Sequence, residues 1–148
     1  MAKLPRDPTK RAEAFQRIRD AHQTELAEDY VELIDDLIDT HGEARVLDIA
    51  ESFGINKSTA TQAVQRLQKQ GLVDAPPYKP ITLTNEGQEL ATKSRRRHEI
   101  IYDFLLAIGV SEQVAFSDSE GVEHHVSSET LQALKALTAK IRKENPQS

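Results

Sequence analysis

The chain has 148 residues and a mass of 16.6 kDa, which suffices for one ordinary domain or two small ones. It contains no cysteine, so disulfides, thiolate metal sites and iron–sulfur clusters are excluded, and any bound metal must have nitrogen and oxygen ligands. No apolar run approaches the roughly 18 residues that span a bilayer, and the charged N-terminal segment is unlike a secretion signal. We therefore expect a cytoplasmic protein without a membrane partner.

The formal net charge of −5 argues against nucleic-acid binding, because domains that bind nucleic acids usually carry a basic face. This charge is unevenly distributed, however. Residues 1–22 carry +3, residues 23–43 carry −8, residues 44–98 carry +4 and residues 99–148 carry −4. A basic central block suits contact with phosphates, whereas an acidic block suits either a hard cation or a solvated helix face.

Residues 1–22 are predicted to form a basic N-terminal arm, loose over its first ten residues, and the start of the first helix. Beyond the arm, apolar residues recur at spacings of three and four and predict a long amphipathic helix that ends near Gly42. These residues are Phe15, Ile18, Leu26, Tyr30, Leu33, Ile34, Leu37 and Ile38. The first helix therefore carries the acidic block.

A helix-turn-helix motif is predicted next. The apolar set from Val46 to Phe53 stops at Gly54, and a second helical pattern then runs to Gly71. Two short apolar segments, at residues 72–73 and 81–84, flank a proline-rich loop and predict a β-hairpin. A hairpin directly after the second of two such helices is typical of the wing of a winged helix, so residues 23–84 are predicted to form a DNA-binding domain.

The remainder of the chain is predicted to be helical. Thr84 or Asn85 can cap a linker helix over residues 85–109, which Gly109 ends. Two further helices, over residues 111–125 and about 127–143, are predicted to build a dimerisation and metal-binding domain at residues 110–148. The expected fold is therefore mainly α with one small hairpin, combining an N-terminal winged helix-turn-helix with a helical C-terminal dimerisation domain.

The predicted recognition helix carries hydrogen-bonding and cationic side chains but no carboxylate. Glutamine and arginine can contact base edges, while serine, threonine and lysine can bind phosphates. The candidate DNA-binding residues are Lys57, Ser58, Thr59, Thr61, Gln62, Gln65, Arg66 and Lys69 on this helix and Tyr78 and Lys79 in the wing. Because one small module makes few phosphate contacts, we expect a homodimer on a palindromic operator in double-stranded DNA.

Two groups of side chains have the spacing of metal ligands. Asp29 and Glu32 are three residues apart in the first helix, and Glu120, Glu123 and His124 have i, i+3, i+4 spacing in the predicted fifth helix. His98 in the linker helix can join them. An acidic set with imidazole and without sulfur suits Mn²⁺ well and Fe²⁺ next, with Zn²⁺ and Ca²⁺ less favoured.

The four carboxylates of this set match the charge of two divalent ions. The other three histidines, His22, His41 and His125, are not predicted to be ligands.

Two alternatives differ in class from a metal-responsive regulator. A dinuclear carboxylate enzyme would use Glu-x-x-His pairs, which the sequence lacks, and Tyr102 stands where a zincin-like motif beginning at His98 would need its second histidine. We therefore expect no enzymatic activity. The second alternative is a winged-helix regulator that responds to a small organic ligand.

Four stretches give the chain a resemblance to the diphtheria-toxin-repressor-like metalloregulators, in particular to the branch of manganese transport regulators. They are residues 28–32 (EDYVE), 44–51 (ARVLDIAE), 97–99 (RHE) and 118–127 (DSEGVEHHVS). The last is the most specific. The resemblance covers about residues 25–140 and departs from the family pattern at Gln62, where lysine is common, and in the proline-rich wing tip.

The resemblance implies that Asp29, Glu32, His98, Glu120, Glu123 and His124 are the ligands of a two-ion manganese site in each protomer. Iron-responsive relatives have methionine and cysteine where this chain has Asp29 and Glu120, so oxygen ligands favour Mn²⁺, with Fe²⁺ a second candidate. The resemblance also implies repression of manganese transport genes. Because the ligands come from the first helix, the linker helix and the C-terminal domain, we expect bound metal to hold the winged helices in an arrangement that fits DNA.

Overall fold

The structure is a computed structural model, and it describes residues 1–145. In chain order the elements are α1 (Pro8–His41), α2 (Val46–Phe53), α3 (Lys57–Lys69), β1 (Val73–Asp74), β2 (Thr82–Leu83), α4 (Asn85–Ala107), α5 (Glu112–Val122) and α6 (Ser128–Glu144). The predicted mainly α fold with one small hairpin is confirmed. The last three residues of the predicted C-terminal domain lie outside the described residues. None of the helices within residues 1–145 has the length and hydropathy needed to cross a bilayer.

The first helix begins earlier than the sequence suggested. Residues 8–10 were expected in a loose arm, but they are helical because Asp7 caps the N-terminus: its carboxylate accepts the N–H of Thr9 at 2.8 Å. Pro8 fits the first helical position, where no N–H is needed. The predicted end is confirmed, since Gly42 has a φ of +84° and donates its N–H to the carbonyl of Ile38 at 2.9 Å.

The chain divides into two compact units. The central unit comprises Leu26–Arg95, and the terminal unit comprises Met1–Glu25 together with Arg96–Ser148. Both boundaries fall inside helices, the first within α1 and the second within α4.

The core of the central unit is made by the second half of α1, by α2 and α3 and by the hairpin. Its buried apolar side chains include Tyr30, Val31, Ile34, Leu37, Ile49, Ala60, Val64, Leu67, Val73 and Ile81. Three earlier members of the apolar repeat on α1 are instead exposed: Phe15 by 55%, Ile18 by 40% and Leu26 by 48%. The helical periodicity of α1 therefore extends beyond the part that the unit buries.

The turn between α2 and α3 is closed by two caps. Gly54 ends α2 in the left-handed conformation (φ +64°), and the N–H of Ile55 returns to the carbonyl of Ala50 at 3.0 Å. Asn56 then begins α3, because its side chain accepts the N–H of Thr59 at 2.8 Å. Together these contacts set the helix-turn-helix geometry expected from Gly54.

The hairpin is short and antiparallel, with Val73 opposite Leu83 and Asp74 opposite Thr82. Thr84 joins it to α4: its hydroxyl donates to the carbonyl of Gly71 at 2.6 Å and accepts the N–H of Gly87 at 3.1 Å. Thr84 is therefore the N-cap of α4, one of the two residues predicted for that role. Gly87 lies so close to the hairpin that a Cβ there would be 1.9 Å from the carbonyl oxygen of Leu72.

A buried ion pair links α1 to α4 within the central unit. Asp35 is 7% exposed, and its carboxylate accepts Nη1 of Arg95 at 2.7 Å and Nε2 of Gln88 at 3.0 Å. Arg95 also pairs with Asp36 on the surface. One charge of the acidic block is thereby compensated inside the fold.

The terminal unit buries Ile101, Ala115 and Leu131, one residue from each of α4, α5 and α6. Ser127 begins α6 by accepting the N–H of Thr130 at 3.2 Å. The predicted fifth helix to residue 125 is too long, because α5 ends at Val122 and residues 123–127 form a turn.

The close packing of Gly87 predicts that Gly87→Ala destabilises the central unit. Backbone cannot move away as a flexible side chain can, so we expect a loss of about 1–3 kcal/mol or more in the free energy of unfolding. The measurement is urea denaturation followed by circular dichroism.

Gly121→Ala is the matched control. A Cβ at this helical glycine meets nothing within 4 Å, so the change should be within about 1 kcal/mol and in the stabilising direction. Equal stability of the two variants would contradict the packing argument.

Candidate metal centre and nucleic-acid interface

The turn after α5 carries two of the predicted metal ligands, Glu123 and His124. They were expected on the face of a continuing helix, but α5 ends before them. Glu123 nevertheless keeps helix-like dihedral angles (φ −59°, ψ −30°), so the i, i+3 relation to Glu120 survives. Both turn residues are buried, Glu123 at 1% and His124 at 7% exposure.

Three predicted ligands converge within the terminal unit. His98, Glu120 and Glu123 each offer a ligand atom, and these atoms lie within 4.8 Å of one another. His98 Nε2 is 3.7 Å from Oε1 of Glu120, and His124 Nε2 is 3.3 Å from Oε1 of Glu123. Two carboxylates and two imidazoles therefore come together from α4, α5 and the following turn.

The carboxylate of Glu123 has the properties of a cation ligand. Both of its oxygens are buried, and neither has a hydrogen-bond partner among the described residues. Burial raises the pKa of Glu123 to about 7, and the histidines His124 and His98 only partly oppose this shift. A buried carboxylate without donors is costly unless a cation compensates it, so the residues present fit a divalent metal.

Arg97 shapes this turn without binding the carboxylate. Its Nε and Nη2 donate to the carbonyl oxygen of Glu123 at 3.1 and 2.6 Å, and Nη2 also donates to the carbonyl of Val126 at 2.6 Å. The guanidinium thus holds the main chain of the segment that bears Glu123 and His124. The sequence singles out Arg97 only within residues 97–99, one of the stretches that carry the family resemblance, and no spacing rule distinguishes it from Arg96.

Two buried serines orient candidate ligands, and the sequence analysis did not identify either. Ser119 donates its hydroxyl to the carbonyl of Phe116 at 2.9 Å, and its Oγ lies 2.8 Å from Nε2 of His98, which fixes the position of the imidazole ring. In the central unit, Ser94 donates to Oε2 of Glu32 at 2.7 Å. A serine in a helix carries no signal for such a role in one sequence.

Asp29 and Glu32 belong to the central unit. They stand one turn apart on α1, and both are half-buried. His41, which was not predicted to be a ligand, is exposed.

The predicted DNA-binding residues also lie in the central unit. All the proposed contact residues of α3 are exposed except Thr61, which is half-buried and donates its hydroxyl to the carbonyl of Lys57 at 2.8 Å. The helix contains no carboxylate. In the wing, Tyr78 is fully exposed with a φ of +62°, and Lys79 beside it is exposed. A contiguous polar and cationic helix surface and an exposed aromatic residue are suited to a DNA duplex.

Comparison with known proteins connects both units to one family. A model described as "Iron dependent repressor, N-terminal DNA binding domain" matches residues 22–81, and one described as "Iron dependent repressor, metal binding and dimerisation domain" matches residues 84–147. The chain is 48% identical over 126 residues to the transcriptional regulator MntR of Salmonella typhi, covering 85% of this chain and 80% of that relative. It is 39% identical over 123 residues to the HTH-type transcriptional regulator MntR of Lysinibacillus sphaericus, covering 83% and 88%.

A solved structure described as "Manganese-dependent transcriptional repressor complex with manganese" is similar to the chain with a TM-score of 0.70 and 29% identity. The match covers 76% of this chain and 52% of that one, so the chain spans about half the length of that structure. These relatives are transcriptional regulators, in accord with the regulatory rather than enzymatic expectation. The chain therefore belongs to the iron-dependent, diphtheria-toxin-repressor-like family of metal-responsive transcriptional repressors, in its manganese transport regulator branch.

Proposed function

We propose that the protein is a cytoplasmic Mn²⁺-responsive repressor that binds a palindromic operator as a homodimer and controls manganese transport genes. The observation that carries this proposal is the buried carboxylate of Glu123, which has no hydrogen-bond partner among the described residues and lies beside Glu120 and two histidines. The regulator MntR relatives and the manganese-bound repressor structure support Mn²⁺ as the ion.

The proposed ligands are Asp29, Glu32, His98, Glu120, Glu123 and His124, sharing two Mn²⁺ ions in each protomer. Four carboxylates match the charge of two divalent ions. A ligand set that is dominated by oxygen and contains no sulfur favours Mn²⁺ over metals that prefer soft sulfur ligands. Fe²⁺ is the second candidate ion. A bound cation supplies the positive charge that the buried carboxylate of Glu123 lacks.

The chain's own residues prepare the ligands for binding. Arg97 holds the main chain of the turn at Glu123, Ser119 directs the His98 ring, and Ser94 holds Glu32. Since the proposed ligands come from α1, α4 and the segment at the end of α5, bound metal would restrict the winged helices to an arrangement that fits DNA. A hundredfold gain in operator affinity needs about 2.7 kcal/mol of differential binding.

The proposed DNA contacts are those predicted from the sequence. On the exposed face of α3, Gln62, Gln65 and Arg66 are directed toward base edges. In the wing, Tyr78 and Lys79 contact the flanking backbone. The absence of carboxylates from α3 supports this assignment, because a phosphate backbone repels them.

The experiment that tests the proposal compares metal and DNA binding directly. Calorimetry with MnCl₂ on metal-stripped protein is expected to show stoichiometric binding. Gel shifts with a duplex selected from a random library at saturating MnCl₂ are expected to require the metal. Absence of Mn²⁺ binding would instead favour the alternative of an organic effector.

Glu123→Gln is expected to lower Mn²⁺ affinity by at least about tenfold and to abolish Mn²⁺-dependent retention of the duplex. The amide keeps the shape of the side chain but lacks its charge. Because burial raises the pKa of Glu123 and so favours a neutral side chain at this position, the fold should persist. The measurement is calorimetry with MnCl₂ plus the gel shift. Glu129→Gln, an exposed glutamate in the first turn of α6, is the control and should bind Mn²⁺ like the wild type.

Arg97→Ala is expected to reduce Mn²⁺ affinity by roughly 10–100-fold, because the turn that carries Glu123 and His124 loses its main-chain donors. The neighbouring Arg96→Ala removes an exposed guanidinium from the same helix and should leave the affinity near that of the wild type. Equal losses in the two variants would refute the positioning role of Arg97. Both are measured by MnCl₂ titration, with circular dichroism to verify folding.

Arg66→Ala is expected to weaken binding of the selected duplex at saturating MnCl₂ by roughly 5- to 150-fold, the range for loss of one good base contact, while Mn²⁺ affinity is unchanged. Lys140→Ala, which removes an exposed cation from α6, controls for net charge. A duplex affinity unchanged by Arg66→Ala would place the base contacts elsewhere.

A further inference from the structure

We propose a second kind of metal site in the terminal unit, formed by His22 and Glu25 of α1 and His125 of the turn before α6, with Zn²⁺ as its ion. None of these residues belongs to the proposed manganese ligands, and the sequence analysis set both histidines aside. Their ligand atoms nevertheless lie within 4.8 Å of one another. The proposed site therefore shares no ligand with the proposed manganese centre.

The distances between the three side chains are close to those of a tetrahedral ion. His22 Nδ1 is 3.0 Å and His125 Nε2 is 3.7 Å from the same oxygen, Oε2 of Glu25. Bonds of about 2.0–2.1 Å at tetrahedral angles separate neighbouring ligand atoms by roughly 3.3–3.4 Å. The two observed separations bracket this value, so small side-chain rotations suffice to admit the ion.

The main chain already holds these groups together. His22 and Glu25 are one helical turn apart on α1, which places both on one face. Arg17, five residues before His22, donates to the carbonyl oxygen of His125 at 3.0 Å and so holds the turn against the helix. The two imidazole rings meet edge to face with centroids 4.9 Å apart. The main chain that bears the three candidate ligands is thus held in place both on α1 and in the turn at His125.

A cavity leaves room for a further ligand. It has a volume of about 450 Å³, and Ala14, Arg17, Ile18, His22 and His125 line it. His22 is the most exposed of the three ligands, with 62% of its side chain accessible, whereas Glu25 and His125 are at 27% and 30%. A water molecule can therefore complete a four-coordinate site that is reached from solvent.

The donor set selects an ion different from Mn²⁺. Two imidazole nitrogens and one carboxylate oxygen suit borderline ions, and nitrogen-rich sites bind Zn²⁺ more tightly than Mn²⁺ in the usual order of divalent-metal affinities. Bound Zn²⁺ would join the N-terminal stretch of α1 to the turn before α6. The expected consequence is reduced exchange of backbone amides in residues 8–25.

The test counts tightly bound Zn²⁺ by competition with a chromophoric chelator. All variants are made in the Glu123→Gln protein, in which the proposed manganese ligands contribute less to the count of bound Zn²⁺. Failure of this proposal can then be distinguished from failure of the proposed function. His22→Ala is expected to bind one Zn²⁺ fewer per chain than its parent. His41→Ala removes another exposed histidine of α1 and is expected to bind as many Zn²⁺ ions as the parent. A second variant, Glu25→Gln, should also lose that ion.

Hydrogen exchange gives an independent measurement. Zn²⁺ is expected to slow exchange of the backbone amides of residues 8–25 in the parent but not in His22→Ala. Mn²⁺ at the same concentration should not slow this exchange in the parent. Equal Zn²⁺ stoichiometry in the parent and in His22→Ala, or equal exchange of residues 8–25 with and without Zn²⁺, would overturn the proposal.

Discussion

The buried carboxylate of Glu123 is the constraint on which the candidate metal centre depends. Taking a carboxylate out of water costs several kcal/mol unless donors or a cation compensate it. The guanidinium of Arg97 does not bind this carboxylate, because it donates to the main-chain oxygen of the same residue. Within residues 1–145 the carboxylate oxygens have no hydrogen-bond partner, and the imidazole of His124 approaches one of them at 3.3 Å, an arrangement suited to an external cation.

Asp35 shows the opposite solution in the central unit. It is nearly as buried, but Arg95 and Gln88 both donate to it, so its charge is compensated within the fold. This contrast separates an acid that stabilises the fold from an acid that is prepared for a metal. Breaking the Asp35 pair should affect folding, whereas neutralising Glu123 should affect metal binding.

The net charge of −5 is the sum of parts with different roles. Within the central unit, α3 presents a surface free of carboxylates, while Asp35 and Asp36 are engaged with Arg95. In the terminal unit, acidic side chains gather with histidines around α5. The overall value therefore says little about affinity for DNA, which depends on the surface that meets the duplex and on the charge left after metal binding.

The sequence by itself determined the helices, the helix-turn-helix turn and the types of residue that can bind metal and DNA, because periodicity, glycine caps and ligand chemistry are local properties. Gly42 and Gly54 end helices and Thr84 begins one where the pattern predicted. Only the tertiary structure decided which charges are compensated: periodicity could not show that α5 ends before Glu123 or that Arg97, rather than Arg96, holds the turn. It also brought His22 and His125 together across about a hundred residues, a proximity that spacing in the sequence cannot reveal because it arises from packing between distant segments.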